Sequence, residues 1–177
     1  MNIDHNHVVT HVNAPQDKRL DELNALLNKT YVPYGAEGRV KSERQALMDA
    51  KNKDVSLGQL AKRVISKASS LYRNNSWDLV DAVEDGEVDL DSIEEEKLPE
   101  PMKKMDKETQ RAFVQDKAQK RKEIAAEIKL LSKQRETYVA EQTARAAAPA
   151  VRTMNEAMTS AIERQSRSKG YMFKDTP

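Results

Sequence analysis

Between Asp106 and Ala148 the chain contains neither glycine nor proline, and nearly every residue there is a good helix former. Asp106 stands where an N-cap is needed, and Glu108 puts negative charge in the first turn, where the helix dipole favours it. Phe113, Ile124, Ile128, Leu131 and Tyr138 recur at steps near three and four, so they share one stripe. The stripe is thin, because Lys117, Arg121, Arg135 and Gln142 share it or border it. A helix of roughly 40 residues would be about 60 Å long. A compact chain of this length has a radius of gyration of only about 16 Å. Such a helix must protrude, pack against an antiparallel partner, or break near its middle.

The rest of the composition fits a thin core. Hydrophobic residues make up 38% of the 177 and charged residues 33%. Usual values are roughly 45–50% (counting Gly) and about a quarter. Five Gly and six Pro are too few for a turn-rich sandwich or barrel. A net charge of +1 gives no general attraction to nucleic acid or to a membrane. The charge is uneven, however: Asp81 to Glu100 is acidic and Lys103 to Lys122 is basic. The absence of Cys excludes disulfides, cysteine–zinc sites and thiol catalysis. The first residues show no positive n-region and no apolar h-region, so the sequence as written reads as cytoplasmic. No apolar run approaches the roughly 18 residues that a membrane span requires.

Val8 to Val12 is rich in β-branched residues and reads as one short strand. Asn13 as cap and Pro15 in the first turn open a helix with Leu20, Leu23, Leu27 and Tyr31 on one face, ended by Pro33-Tyr34-Gly35. Glu37 to Lys53 is a weaker helix with Val40, Ala46, Leu47 and Ala50 as its sparse apolar face. Ser56 and Gln59 have capping-box spacing. The helix they open carries Leu57, Leu60, Ala61, Val64, Ile65, Ala68, Leu71 and Tyr72, the best amphipathic face in the chain. Asn74-Asn75-Ser76 breaks it and caps the next, where Trp77, Leu79, Val80 and Val83 form an apolar cluster. Val88, Leu90, Ile93 and Leu98 continue the burial, and Pro99 and Pro101 mark the boundary with the long helix. After Pro149 a last helix shows Val151, Met154, Ala157, Met158, Ala161 and Ile162, with Gly170 as C-cap and Tyr171-Met172-Phe173 as a docked tail. The expected fold is all-α and elongated, with one helix of about 40 residues and at most one short N-terminal strand. Its expected divisions are 1–35, a small helical core at 36–98, a long charged helix at 99–148, and a C-terminal helix and tail at 149–177.

Few residues invite a chemical reading. On an extended segment His5, His7 and His11 point the same way, as metal ligands would, but only Asp4 stands beside them. The plainer reading is a polar tail. An EF-hand loop counted from Asp85 puts Leu90 where Gly is required, so the acidic run reads as a solvated connector. Lys117, Lys120, Arg121 and Lys122 form a basic cluster suited to a polyanion, but no aromatic platform accompanies it. Trp77 reads as a core anchor. There is no P-loop, dinucleotide fingerprint, nucleophile elbow or HExxH.

Several stretches together resemble a known family. They are His11-Val12-Asn13-Ala14-Pro15-Gln16-Asp17 running into Leu23 to Gly35, Leu71-Tyr72-Arg73-Asn74-Asn75-Ser76-Trp77-Asp78-Leu79-Val80-Asp81-Ala82, Leu98-Pro99-Glu100 with the Lys/Glu-rich helix, and Ala157 to Phe173. The chain resembles the C-terminal part of bacterial von Willebrand factor type A (VWA) domain proteins. The resemblance implies that residues near 8–34 are the closing strand and helix of a VWA domain, and that the rest is the helical extension after it. VWA domains bind a divalent metal through an Asp-x-Ser-x-Ser loop, which this chain lacks. Asp54-Val55-Ser56-Leu57-Gly58 matches it only halfway. The resemblance therefore places the metal-binding half upstream of Met1 and carries over no metal ligand. Relatives of this kind often begin with an export signal.

The sequence thus points to a non-catalytic helical interaction or scaffolding region belonging with a VWA domain, with no cofactor and no metal. A protein partner is expected, either a VWA half or another protein. Its expected contact residues are Ile124, Ile128, Leu131 and Tyr138, which would otherwise pack on the C-terminal helix. The alternative is polyanion or nucleic-acid binding through Lys117, Lys120, Arg121 and Lys122. Leu20, Leu23 and Leu27 are expected to face the missing VWA sheet. Residues 1–35 are then expected to be the least protected part of the chain, or to mediate self-association.

Overall fold

The computed structural model describes residues 12–146 and 154–169. These form α1 (Gln16–Asn28), α2 (Gly38–Val55), α3 (Leu57–Lys67), α4 (Leu79–Glu84), α5 (Glu100–Lys103), α6 (Lys107–Ala146) and α7 (Met154–Ser168), with a 3-10 turn at Glu95–Lys97. The fold is mainly α-helical, as the periodicities require, and no strand occurs among the described residues. Most of the segment expected as a strand at Val8 to Val12 lies outside the described residues. So do the three His, Gly170 and Tyr171-Met172-Phe173. Among the described residues, extended pairing is confined to an isolated bridge between Pro33 and Asp78. There the Tyr34 N–H donates to the Trp77 carbonyl (2.9 Å) and the Leu79 N–H to the Val32 carbonyl (2.8 Å).

The chain divides into two compact units, one running from His11 to Glu141 and the other containing α7. The first unit holds two apolar clusters. In one, Leu20, Leu23 and Leu27 of α1 meet Leu60, Ala61 and Val64 of α3, together with Tyr31, Trp77 and Ile128 of α6. In the other, Val32, Leu79, Val80, Leu90, Leu98 and Met102 close on Val114 and Ala118 of α6. The long helix is common to both. It neither breaks nor needs one antiparallel partner, because its stripe passes from one cluster to the next.

Local chemistry sets the helix starts. Ser56 caps α3, its Oγ accepting from the Gln59 N–H at 3.0 Å. Asp106 Oδ1 accepts from the Thr109 N–H at 2.7 Å at the start of α6. Two starts differ from the sequence reading. Asn13 is exposed and does not cap α1; instead Asp17 reaches back to accept from the Ala14 N–H at 2.9 Å. Asp78, not Asn74 to Ser76, caps α4, so Trp77 precedes that helix rather than opening it. Trp77 is buried, and its ring lies 5.4 Å from that of Tyr31 at a tilt of 42°.

Two expected faces point the other way. Leu71 is 92% exposed, because α3 ends at Lys67 and the chain turns away. In α2, Val40, Ala46, Leu47 and Ala50 all face solvent, and the buried residues are Gly38, Gln45 and Asp49. This helix turns its polar side inward because α1 and α3 offer it polar partners there.

Leu20, Leu23 and Leu27 do not wait for a missing sheet. They are at most 1% exposed and packed on α3 and α6. Each such burial is worth roughly 1.5–3 kcal/mol, which is enough to hold α1 in place. The expectation that residues up to 35 are the least protected is therefore replaced for α1. In native-state hydrogen exchange, the amides of Leu20 to Leu27 should be protected as strongly as those of Leu60 to Val64. Exchange of α1 at least tenfold faster would contradict this packing.

Candidate functional site

The most concentrated polar chemistry lies where α6 passes between the two apolar clusters, at Arg121. Its Nη1 donates to Asp78 Oδ2 at 2.7 Å and to Asp81 Oδ1 at 2.8 Å. Its Nε reaches Thr30 Oγ1 at 3.1 Å and its Nη2 the Thr30 carbonyl at 2.9 Å. The guanidinium also lies over the Tyr31 ring, 4.6 Å from the centroid. Both carboxylates are occupied further. Asp78 accepts from the Val32 N–H at 2.7 Å, and Asp81 from the Asn74 N–H at 2.8 Å and from Arg73 at 3.2 Å. Burial pushes the Asp78 carboxyl up, against the pull of Arg121. Burial disfavours the Arg121 charge too, but Asp78 and Asp81 more than offset that and hold it protonated.

A second polar cluster ties α2 to α1 and α3. Lys67, buried at the end of α3, donates to Asn24 Oδ1 (2.8 Å), Asn28 Oδ1 (2.6 Å) and Asp49 Oδ2 (2.7 Å). Three acceptors match the three protons of an ammonium. Burial nevertheless lowers its pKa to about 8, with Asp49 pulling the other way. Burial alone would raise Asp49, but hydrogen bonds from Lys67 and Asn28 prevail and hold it below the usual carboxylate range. Arg63 adds a bond to the other Asp49 oxygen at 2.6 Å. Tyr72 donates to Gln45 at 3.0 Å. The sequence carried a signal for this cluster that the apolar stripes hid. Asn24 and Asn28, Gln45 and Asp49, and Arg63 and Lys67 are each four residues apart, so each pair stacks on one helix face.

A third tie closes the far end. Arg135 Nε donates to Asp17 Oδ1 at 2.6 Å, both side chains buried. Gly58 lies beneath this pair. A Cβ there would meet Arg135 Nη2 at 3.1 Å, so even an alanine would press on the guanidinium and need it to shift by a few tenths of an ångström.

The residues expected to contact a partner do not form a free surface. Ile128 is fully buried, and Ile124 and Leu131 pack against the same cluster, on α1 and α3. Tyr138 is half-buried further along α6. The expected basic cluster is likewise engaged. Lys117 donates to the Lys29 carbonyl at 3.0 Å, Lys120 pairs with Asp116 at 2.7 Å, Lys122 with Glu84 at 2.9 Å, and Arg121 is the buried node. Lys117, Lys120 and Arg121 share one face at i, i+3 and i+4 with Lys122 to the side, but each of the four already has a partner within the fold.

Beside the Arg121 node is an open cavity of about 430 Å³, lined by Tyr31, Lys67, Tyr72 and Arg121 among others. A second, of about 660 Å³, continues along α6 and shares Ala68, Ser69, Ser70, Lys122 and Ala125 with the first. Among the described residues no group of three His, Asp or Glu is placed to hold a metal. No described helix is long and apolar enough to cross a membrane.

Comparison with protein-family models, curated proteins and solved structures gives no match.

Two outcomes follow from the polar clusters. Arg121→Ala leaves Asp78 buried without a counter-charge and Asp81 with Arg73 alone, and should cost about 3–5 kcal/mol in urea unfolding. Arg121→Lys should recover only part of this, since one ammonium cannot span both carboxylates and Thr30. Asp49 sets an acid limb. Its folded pKa is depressed below 3.8, so its contribution is full above that value and fades as pH falls through the folded pKa. The stability gap between the wild type and Asp49→Asn, read from urea unfolding, should be constant between about pH 5 and 7 and narrow below about pH 4.

Proposed function

We propose that this chain is a non-catalytic helical interaction region that accompanies a VWA domain and meets its partner through the outward face of α2. The orientation of α2 carries the reading: Val40 and Val55 are 65% and 68% exposed and Leu47 is 52%, while the polar side of the same helix is buried. A helix that satisfies its polar side internally and sets three large apolar residues in water, interleaved with Arg44 and Lys51, presents a mixed apolar and basic surface suited to a protein partner. The polar clusters support the non-catalytic part. Lys67 and Arg121 already have acceptors for their protons, and their carboxylate partners are bonded within the fold. The VWA part rests on the resemblance of Arg73 to Ala82, since the α1 face within His11 to Gly35 packs on α3 and α6 and not on a VWA sheet.

The test is titration with the isolated metal-binding half of a VWA protein that carries the same Arg73 to Ala82 sequence, followed by calorimetry. Saturable binding at micromolar affinity is expected. Val40→Glu combined with Leu47→Glu should weaken it at least tenfold without changing the circular dichroism melt, since both sites are exposed. No binding at about 100 µM, or equal binding by the double variant, would overturn the reading.

A further inference from the structure

The two cavities beside α6 form one groove, separate from the outward face of α2. Along α6 it runs from Ala118 to Glu136, roughly 27 Å or about five helical turns. In the second cavity the floor is made of small or apolar side chains, Ile65 and Ala68 on one side and Ala125 and Ala126 on the other, while the first brings in the polar Lys67, Tyr72 and Arg121. Small side chains let a second helix axis approach at the short end of the usual 8–10 Å or so. One wall is basic. Lys122, Lys129 and Lys133 line the groove from α6, and all three are exposed. They fall on adjacent helical rows and lean to the same side. Of the acidic residues in the lining, Asp81 pairs with Arg121 and Arg73 and Glu84 with Arg73 and Lys122, while Glu136 is exposed, keeps its charge and accepts only from Ser132 Oγ at 3.2 Å. The Lys122 side chain is itself 69% exposed, so its weak surface pair with Glu84 can exchange for a carboxylate of a partner.

We propose that this groove receives an acidic amphipathic helix from another protein, with its apolar face on Ala68, Ala125 and Ala126 and its carboxylates against Lys122, Lys129 and Lys133. The groove's length suits a helix of four to five turns. Its apolar floor calls for residues at i, i+3, i+4 and i+7, and its single basic wall for acidic residues along one flank. A polyanion such as duplex DNA would satisfy the lysines but leave the apolar floor uncovered. The charge complementarity would mainly set the association rate and the choice of partner, and the floor the lifetime of the complex.

Fluorescence anisotropy with two labelled 18-residue helical peptides tests this. Both carry leucines at i, i+3, i+4 and i+7; one has glutamates on the flank and the other lysines. The full chain should bind the glutamate peptide saturably and at least tenfold more tightly than the lysine peptide. Combined Lys122→Glu, Lys129→Glu and Lys133→Glu should lower that affinity at least tenfold and reverse the preference. Ala126→Arg, at an exposed position, should block both peptides while leaving the melt unchanged. No saturable binding, equal binding of the two peptides, or an unaltered affinity in the triple variant would overturn the proposal. So would displacement of the peptide by heparin or duplex DNA at lower concentration than by unlabelled glutamate peptide. A concentration-dependent dimer abolished by the triple variant would overturn it as well, by giving the groove to a second copy. If the peptide fails while the VWA half still binds through Val40 and Leu47, this inference falls and the proposed function stands. If the peptide binds and the VWA half does not, the reverse holds.

Discussion

A guanidinium taken out of water must be answered in kind, and at Arg121 the answer comes from segments remote in sequence. Thr30 follows α1, Asp78 begins α4, Asp81 lies within it, and Arg121 stands midway along α6. The node lies between the two apolar clusters, so neither closes independently of the other. Asp78 does several things at once. It caps α4, fixes the extended segment through the Val32 N–H, and neutralises Arg121. An unpaired charge at that depth costs more than most single apolar contacts contribute, so the polar junction constrains the fold more tightly than the leucines around it.

The helical class, the caps at Ser56 and Asp106, and the buried roles of Trp77, Leu60 and Val64 follow from periodicity and capping chemistry, and are readable in the chain alone. The orientation of α2 is not. The rule that the apolar side faces inward assumes that the facing surface is apolar, and here it is Asn24, Asn28 and Lys67. The stripe of α6 shows the same limit. Its sparse apolar positions suggest a weak outward surface, but Arg121 and Arg135 are part of the buried seam once their aspartates are known. Those partners are 43 and 118 residues away. Local pattern reports the face of a helix and not what stands opposite it. The groove was illegible for the same reason, since its two walls come from α3 and α6.

The proposed role fits the way charge is distributed. Ionisable groups inside the fold are committed to one another, while those along the groove wall are open to solvent. That division suits a part whose interior has to be rigid and whose surface has to be recognised. It also places the recognising surfaces on helices rather than on loops, where positions are held more precisely.

The long helix also works as a ruler. Arg121 and Arg135 stand fourteen residues apart on α6, two heptads, and each must meet a carboxylate fixed elsewhere. Adding or removing one residue between them would turn everything downstream by about 100° and shift it by about 1.5 Å. Ile128 would then leave its cluster and Arg135 would lose Asp17. A change of seven residues would restore the angle but still move Arg135 by about 10 Å along the axis, so length changes in this interval should not be tolerated. Among homologues, substitutions along the outer face of α6 should drift freely while the spacing between the two arginines stays fixed, so that the count of residues, more than their identity, is what inheritance preserves there.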